Sequence, residues 1–162
     1  MLRRNNMKCY IDQSGKVENT SKLTIVAFTN GKVKTLKITG REKRRVVRIM
    51  RTVEYPERVY IYQIFAALVF LLIKKEKIGE VIIDDEYVGH EPLIKDIIIK
   101  LYQKTKLKVP HIDFGLIGKD SEAHKVAIDA FRGRRKADIE VKSEEVLVLF
   151  YAKKKGWSSH SK

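Results

Sequence analysis

The order of hydrophobic patterns along this chain predicts an α/β fold. It is a mixed five-stranded sheet, three antiparallel strands and then a βαβα run, with helices on both faces and an extra strand pair near the C-terminus. Three observations carry the prediction. Two strand-like runs meet at Asn30-Gly31, a dipeptide suited to a tight hairpin turn. Between residues 59 and 73, Tyr60, Ile64, Ala67, Leu68 and Leu71 repeat at helical spacing. Further on, Val81-Ile82-Ile83 runs straight into Asp84-Asp85-Glu86. Consecutive branched aliphatic residues favour a strand covered on both faces, and acids at its carboxyl end lie on the edge where open α/β sheets bind ligands.

In chain order, residues 1–7 form a basic lead-in with Arg3 and Arg4, and residues 8–12 a strand ending at the turn Gln13-Ser14-Gly15. Residues 23–29 and 32–39 are the hairpin strands. In the second, Lys32, Lys34 and Lys37 alternate roughly with Val33, Leu36 and Ile38, which predicts an edge strand with one wet face and a slip of phase at Thr35-Leu36. Residues 41–51, rich in arginine, predict a short helix with a basic face that Pro56 closes off. The long apolar helix begins at Arg58. After the strand at Val81, Pro92 opens a helix to about residue 104, as suits a first-turn proline. Residues 111–117 form a strand, Gly118-Lys119-Asp120-Ser121 a turn in which Asp120 or Ser121 caps the next helix, and residues 122–132 that helix. Residues 139–141 and 146–151 supply the terminal strand pair.

A chain of 162 residues fits one domain, here 1–152, followed by a basic tail over 153–162. The single cysteine, Cys9, excludes an internal disulfide and a cysteine-rich zinc site; it reads as a core residue. With no signal peptide in view, the expected location is cytoplasmic. The apolar run of residues 59–73 falls short of the roughly 20 residues a membrane span needs. Abundant Lys, Glu and Ile with scarce Gln match a balance reported for proteins of hot environments. The net charge of +14 points to a polyanionic partner, with nucleic acid ahead of an anionic membrane, because no stretch pairs a basic face with an exposed apolar one over helical length.

Three motifs carry a family resemblance. Tyr10-Ile11-Asp12-Gln13-Ser14-Gly15, Asp84-Asp85-Glu86-Tyr87-Val88 and Gly118-Lys119-Asp120-Ser121-Glu122-Ala123-His124-Lys125-Val126-Ala127 occur in this order on a first strand, a fourth strand and the entry to a last helix. Over residues 8–132 the chain resembles the ribonuclease H-like nucleases. The resemblance implies that fold and a divalent-metal-dependent nuclease with two Mg²⁺ or Mn²⁺ ions. Asp12 would be the bridging carboxylate and Asp84 a ligand, with Asp120 and His124 sharing one helix face toward the ions. His124 would serve as a ligand or carry a proton to the leaving group. Where ribonuclease H has a glutamate on its first helix, this chain has Gln63; Glu54 and Glu57 are substitutes under another register. That departure speaks against hybrid cleavage. The chain is similar to the small archaeal single-strand DNA exonucleases of this fold, some of them trimers, which leaves a homo-oligomer open.

Each residue has a competing structural role: a strand end for Asp12, a helix cap for Asp120, a partly buried histidine for His124. Asp85 should point away from Asp84. A substrate groove would draw on Arg44, Arg45 and Arg48 and on Arg132, Arg134, Arg135 and Lys136. Phe65, Tyr87 and Trp157 are aromatic residues for base stacking, with core packing the competing role for the first two. The rival functions are a nucleic-acid-binding protein of the same fold without activity and a basic structural protein of a ribonucleoprotein particle.

Overall fold

The structure, a computed structural model, describes residues 8–54 and 58–151. Among them eleven elements follow in order: β1 (Lys8–Ser14), β2 (Thr24–Thr29), β3 (Val33–Ile38), α1 (Gly40–Glu54), α2 (Tyr60–Ile73), β4 (Glu80–Asp84), α3 (Glu91–Gln103), β5 (His111–Gly115), α4 (Glu122–Phe131), β6 (Ile139–Glu140) and α5 (Ser143–Leu147). The strands form one mixed six-stranded sheet in the order β5-β4-β1-β2-β3-β6. β1 to β3 are antiparallel neighbours, whereas β4 joins β1, β5 joins β4 and β6 joins β3 in parallel.

The sheet divides the molecule into unequal layers. Cys9 and Ile11 of β1, Val26 and Phe28 of β2, and Val81 and Ile83 of β4 face a dry core shared with α1, α2, α3 and α5. Cys9 lies in that core as expected, and burial pushes its thiol up to about 12, with a lesser contribution from the Glu76 charge. α2 is buried round most of its circumference, so the whole-helix hydrophobicity of residues 60–73 is used up inside the protein. The opposite face carries α4 alone among the described residues. Val126, Ala127 and Ala130 pack there on Ile25 and Ala27.

α4 lies across β2, β1 and β3, and the same face of β4 and β5 stays largely bare. Ile82 is therefore only half-buried, which corrects the expectation that the strand at Val81 is covered on both faces. α4 is locked at both ends. Ser121 caps it by accepting the His124 N–H at 3.1 Å. At the other end Phe131 packs onto Gly15, whose φ of 81° suits glycine and where a Cβ would run into Leu23 O and the Phe131 ring.

Three further expectations change. β1 continues through Gln13 to Ser14 instead of stopping at Asp12, because β2 goes on pairing with it as far as Ile25. β3 is not an edge: β6 pairs with it, Lys37 lies 3.6 Å from Glu140, and Lys34 donates to Glu76 at 2.9 Å. Finally, residues 146–151 are not a strand. The Glu145 carboxylate accepts the Lys142 N–H at 2.9 Å and starts α5, which buries Val146 and Leu147. The extra strand pair is thus one two-residue strand followed by a helix. Residues 1–7, Pro56, Glu57 and the tail at 153–162 with Trp157 lie outside the described residues, as does the Glu54 side chain. No described helix is long and apolar enough to cross a membrane.

Candidate active site

Parallel pairing of β1 with β4 sets Ile11 against Ile83, so the next position in that register sets Asp12 beside Asp84. Both then project from the α4 face, on strands about 4.8 Å apart. Asp12 is 4% exposed and engages both oxygens: Oδ1 accepts the Gln13 N–H at 2.8 Å, and Oδ2 lies 2.8 Å from His124 Nδ1, the donor of that pair. Burial raises the Asp12 carboxyl above its ordinary value. The hydrogen bonds from His124 and Gln13 oppose that rise, and the charge of Asp84 adds to it. Asp84 is held differently, with Oδ1 accepting the Ile117 N–H at 2.9 Å from the turn after β5.

Of the four residues the sequence offers for a site, the structure brings three near one another: Asp12, Asp84 and His124. Asp120 stands apart. It is exposed in the turn before Ser121, which takes the capping role, and no contact joining the other three involves it. Asp85 turns to Glu91 at the start of α3, and this interaction raises its carboxyl.

Other residues complete the surroundings. Glu86 is half-buried, and burial followed by the charge of Asp84 raises its carboxyl against the pull of Lys16. Tyr87 is 8% exposed and packs on Phe65 at 5.1 Å between ring centroids, so both belong to the core and neither is open to a base. The Tyr87 hydroxyl accepts the Val17 N–H at 3.3 Å and approaches Glu18 Oε1 at 3.2 Å and the Gln13 amide. From the far side Lys43, fully buried, donates to Lys16 O, Asn19 O and Thr24 Oγ1 at 3.2, 2.7 and 2.8 Å. Burial pulls its ammonium down to about 8, with the Glu18 charge opposing. Tyr87 and Lys43 thus pin the β1–β2 loop beside the acids. Lys43 was legible: its spacing of three and seven to Val46 and Met50 puts it on the buried stripe of α1, not on the basic face.

The basic segments flank the site at a distance. α1 lies on the face opposite α4, where Arg44 and Arg48 line a shallow groove with Thr20, Arg51 and Thr52, and Arg44 donates to Thr20 O at 2.7 Å. Arg45 lies on the same helix. Arg132, Arg134, Arg135 and Lys136 are exposed just past α4; the first is about 12 Å along the helix from His124. Gln63 on α2 keeps Oε1 buried without a hydrogen-bond partner.

Among the described residues, one trio brings three potential ligand atoms within 4.8 Å of each other. It is Glu80, His111 and Asp113, at the other end of β4 and β5. Asp12, Asp84 and His124 do not form so close a group. Comparisons with protein-family models, curated proteins and solved structures find no match to this chain.

Proposed function

We propose that this protein is a divalent-metal-dependent nuclease of the ribonuclease H-like fold, and in its narrower form a single-stranded DNA exonuclease. The observation that carries the reading is the register of β1 with β4, which brings Asp12 and Asp84 together at the carboxyl ends of adjacent parallel strands, with His124 bonded to Asp12. The strand order β3-β2-β1-β4-β5 agrees with that fold. So does the charge of +14, which suits a phosphate backbone.

The donor chemistry fits a hard cation: Asp12, Asp84 and the half-buried Glu86 offer carboxylate oxygens on one side of the sheet. Mg²⁺ or Mn²⁺ held there would polarise the phosphate and supply a hydroxide at neutral pH. The protein's own contribution is orientation. Asp12 fixes the His124 ring by accepting its Nδ1–H; in the doubly protonated ring the Nε2–H would pass to the leaving oxygen as the P–O bond breaks, and the proton lost by the attacking water would restore the ring.

A second reading, nucleic-acid binding without cleavage, is favoured by the double engagement of Asp12 and by Gln63 in place of a glutamate. One experiment separates the two. End-labelled single-stranded and duplex DNA and RNA are incubated with the protein in Mg²⁺, in Mn²⁺ and in EDTA, beside the Asp84→Asn variant. The nuclease reading expects shortening of the label that needs the metal and is lost in the variant. Binding without cleavage under every condition sinks it.

A further inference from the structure

A central strand of a sheet is normally covered on both faces, and Tyr10 breaks that rule. It sits on β1 between β4 and β2, paired with Ile82 and Thr29, and remains 40% exposed. Its face is the one α4 leaves bare. The open area is a groove of about 640 Å³, lined by Lys8, Tyr10, Thr29, Ile82, Leu116 and Ser121 among others, within the range of small-molecule sites. Leu116, at one wall, is 92% exposed.

The groove is continuous with the acids. Tyr10 and Asp12 project from the same face of one strand, about 6.7 Å apart along it. Ile117, another wall residue, donates its N–H to Asp84, and Ser121 caps the turn that carries His124. An occupant of the groove therefore reaches the candidate active site directly.

Charge decides what the occupant is. The lining holds one cation, Lys8, and one carboxylate, Glu122, so it offers too little positive charge to track a run of phosphates. It does offer an aromatic face, aliphatic walls at Ile82 and Leu116, and polar edges at Thr29, Asn30 and Ser121. That combination suits a flat, neutral, hydrogen-bonding ring, and an aromatic residue on an open sheet surface is a general platform for unpaired bases. A paired base is stacked on its neighbours within the duplex and has no free face to offer Tyr10.

We infer that this groove binds an unpaired nucleobase on the Tyr10 ring, one nucleotide away from the phosphate at Asp12 and Asp84. The inference rests on the nuclease reading for its substrate class and deepens it by selecting single strands over duplex. It assigns specificity to a residue that takes no part in the chemistry.

The test is made in EDTA, so that it reads binding alone. Anisotropy of a fluorescein-labelled single-stranded DNA decamer is titrated with the full chain, with Tyr10→Ala and with Tyr10→Phe, beside the same decamer annealed to its complement. Tyr10→Ala should weaken single-strand binding about tenfold, Tyr10→Phe less than about twofold, and neither should change duplex binding. A second measurement needs no variant. A decamer carrying 5-bromodeoxyuridine, irradiated with the wild-type protein, should crosslink to the tryptic peptide of residues 9–16. Unchanged affinity in Tyr10→Ala overturns the inference, as do crosslinks confined to the α1 or Arg132–Lys136 segments. It is equally overturned if Tyr10→Ala changes the sedimenting mass and leaves DNA affinity alone, for the groove is then an interface between copies. Failure of the nuclease reading is a separate result, the absence of metal-dependent cleavage by the wild-type chain.

Discussion

The two faces of the sheet are made from the same strands and do different work. One is sealed by α1, α2, α3 and α5, and its side chains from β1, Cys9 and Ile11, are fully buried. The other is sealed by α4 over half its width, and its side chains from β1 are Tyr10, half open, and Asp12, buried but polar. Alternation along a single strand thus sends hydrophobic stabilisation to one side and the candidate chemistry to the other. Where the cover stops, the groove and the acids begin. A substitution on one face should therefore change stability and on the other activity, and four experiments put that division at risk.

Asp12→Asn should give the largest effect. Cleavage should fall by about 10³-fold in the end-label assay, since an uncharged amide cannot hold a cation or fix the imidazole as a carboxylate does. Its unfolding free energy in urea should change by less than about 1 kcal/mol, because removing a buried charge offsets the weaker bond to His124. On the sealed face, Leu68→Ala should do the reverse. It should cost about 3 kcal/mol in the same urea titration through the cavity it leaves, while the rate per folded molecule stays within about twofold.

Lys43 lies between these extremes. Its folded-state value of about 8 is below the ordinary 10.5, so through Lys43 the unfolded chain binds more protons in that window and this group's contribution to stability rises from pH 8 to 10.5, against the opposite contribution of Cys9 above pH 9. Lys43→Met should remove that contribution; the change in urea midpoint from about pH 7.5 to about pH 10, compared between the two proteins, measures it. An equal change in the variant would mean that other groups carry it. The smallest effect is expected of Tyr87→Phe, which deletes the hydroxyl facing Val17, Glu18 and Gln13 and should cost about 1 kcal/mol. Faster amide exchange confined to the β1–β2 loop would show where the loss falls.

How far the sequence reveals this molecule varies by element. β1 to β5 and α2 to α4 are legible because short runs rich in branched apolar residues and longer runs at helical spacing are set apart by turn residues, with Asn30-Gly31 and Pro92 marking boundaries. Residues 146–151 are not, since a short apolar run reads alike as strand or helix, and the deciding bond from Lys142 to Glu145 leaves no periodic trace. Asp12, Asp84 and His124 were accessible through their motifs and the strand order. The groove was hidden: Ile82 has a branched chain like Val81 and Ile83, and only the placement of α4 leaves it half-buried while they are buried. Asp120 and Ser121 are adjacent polar residues, and which of them caps α4 depends on one hydrogen bond.

The buried ammonium of Lys43 has a thermal consequence. Hydration of a charged group carries a negative entropy, so the penalty for withdrawing it from water shrinks on heating, while its three oxygen acceptors stay where they are. The clamp on the β1–β2 loop should therefore tighten relative to the hydrocarbon core as temperature rises, keeping the wall beside Asp12 in register when other loops begin to open.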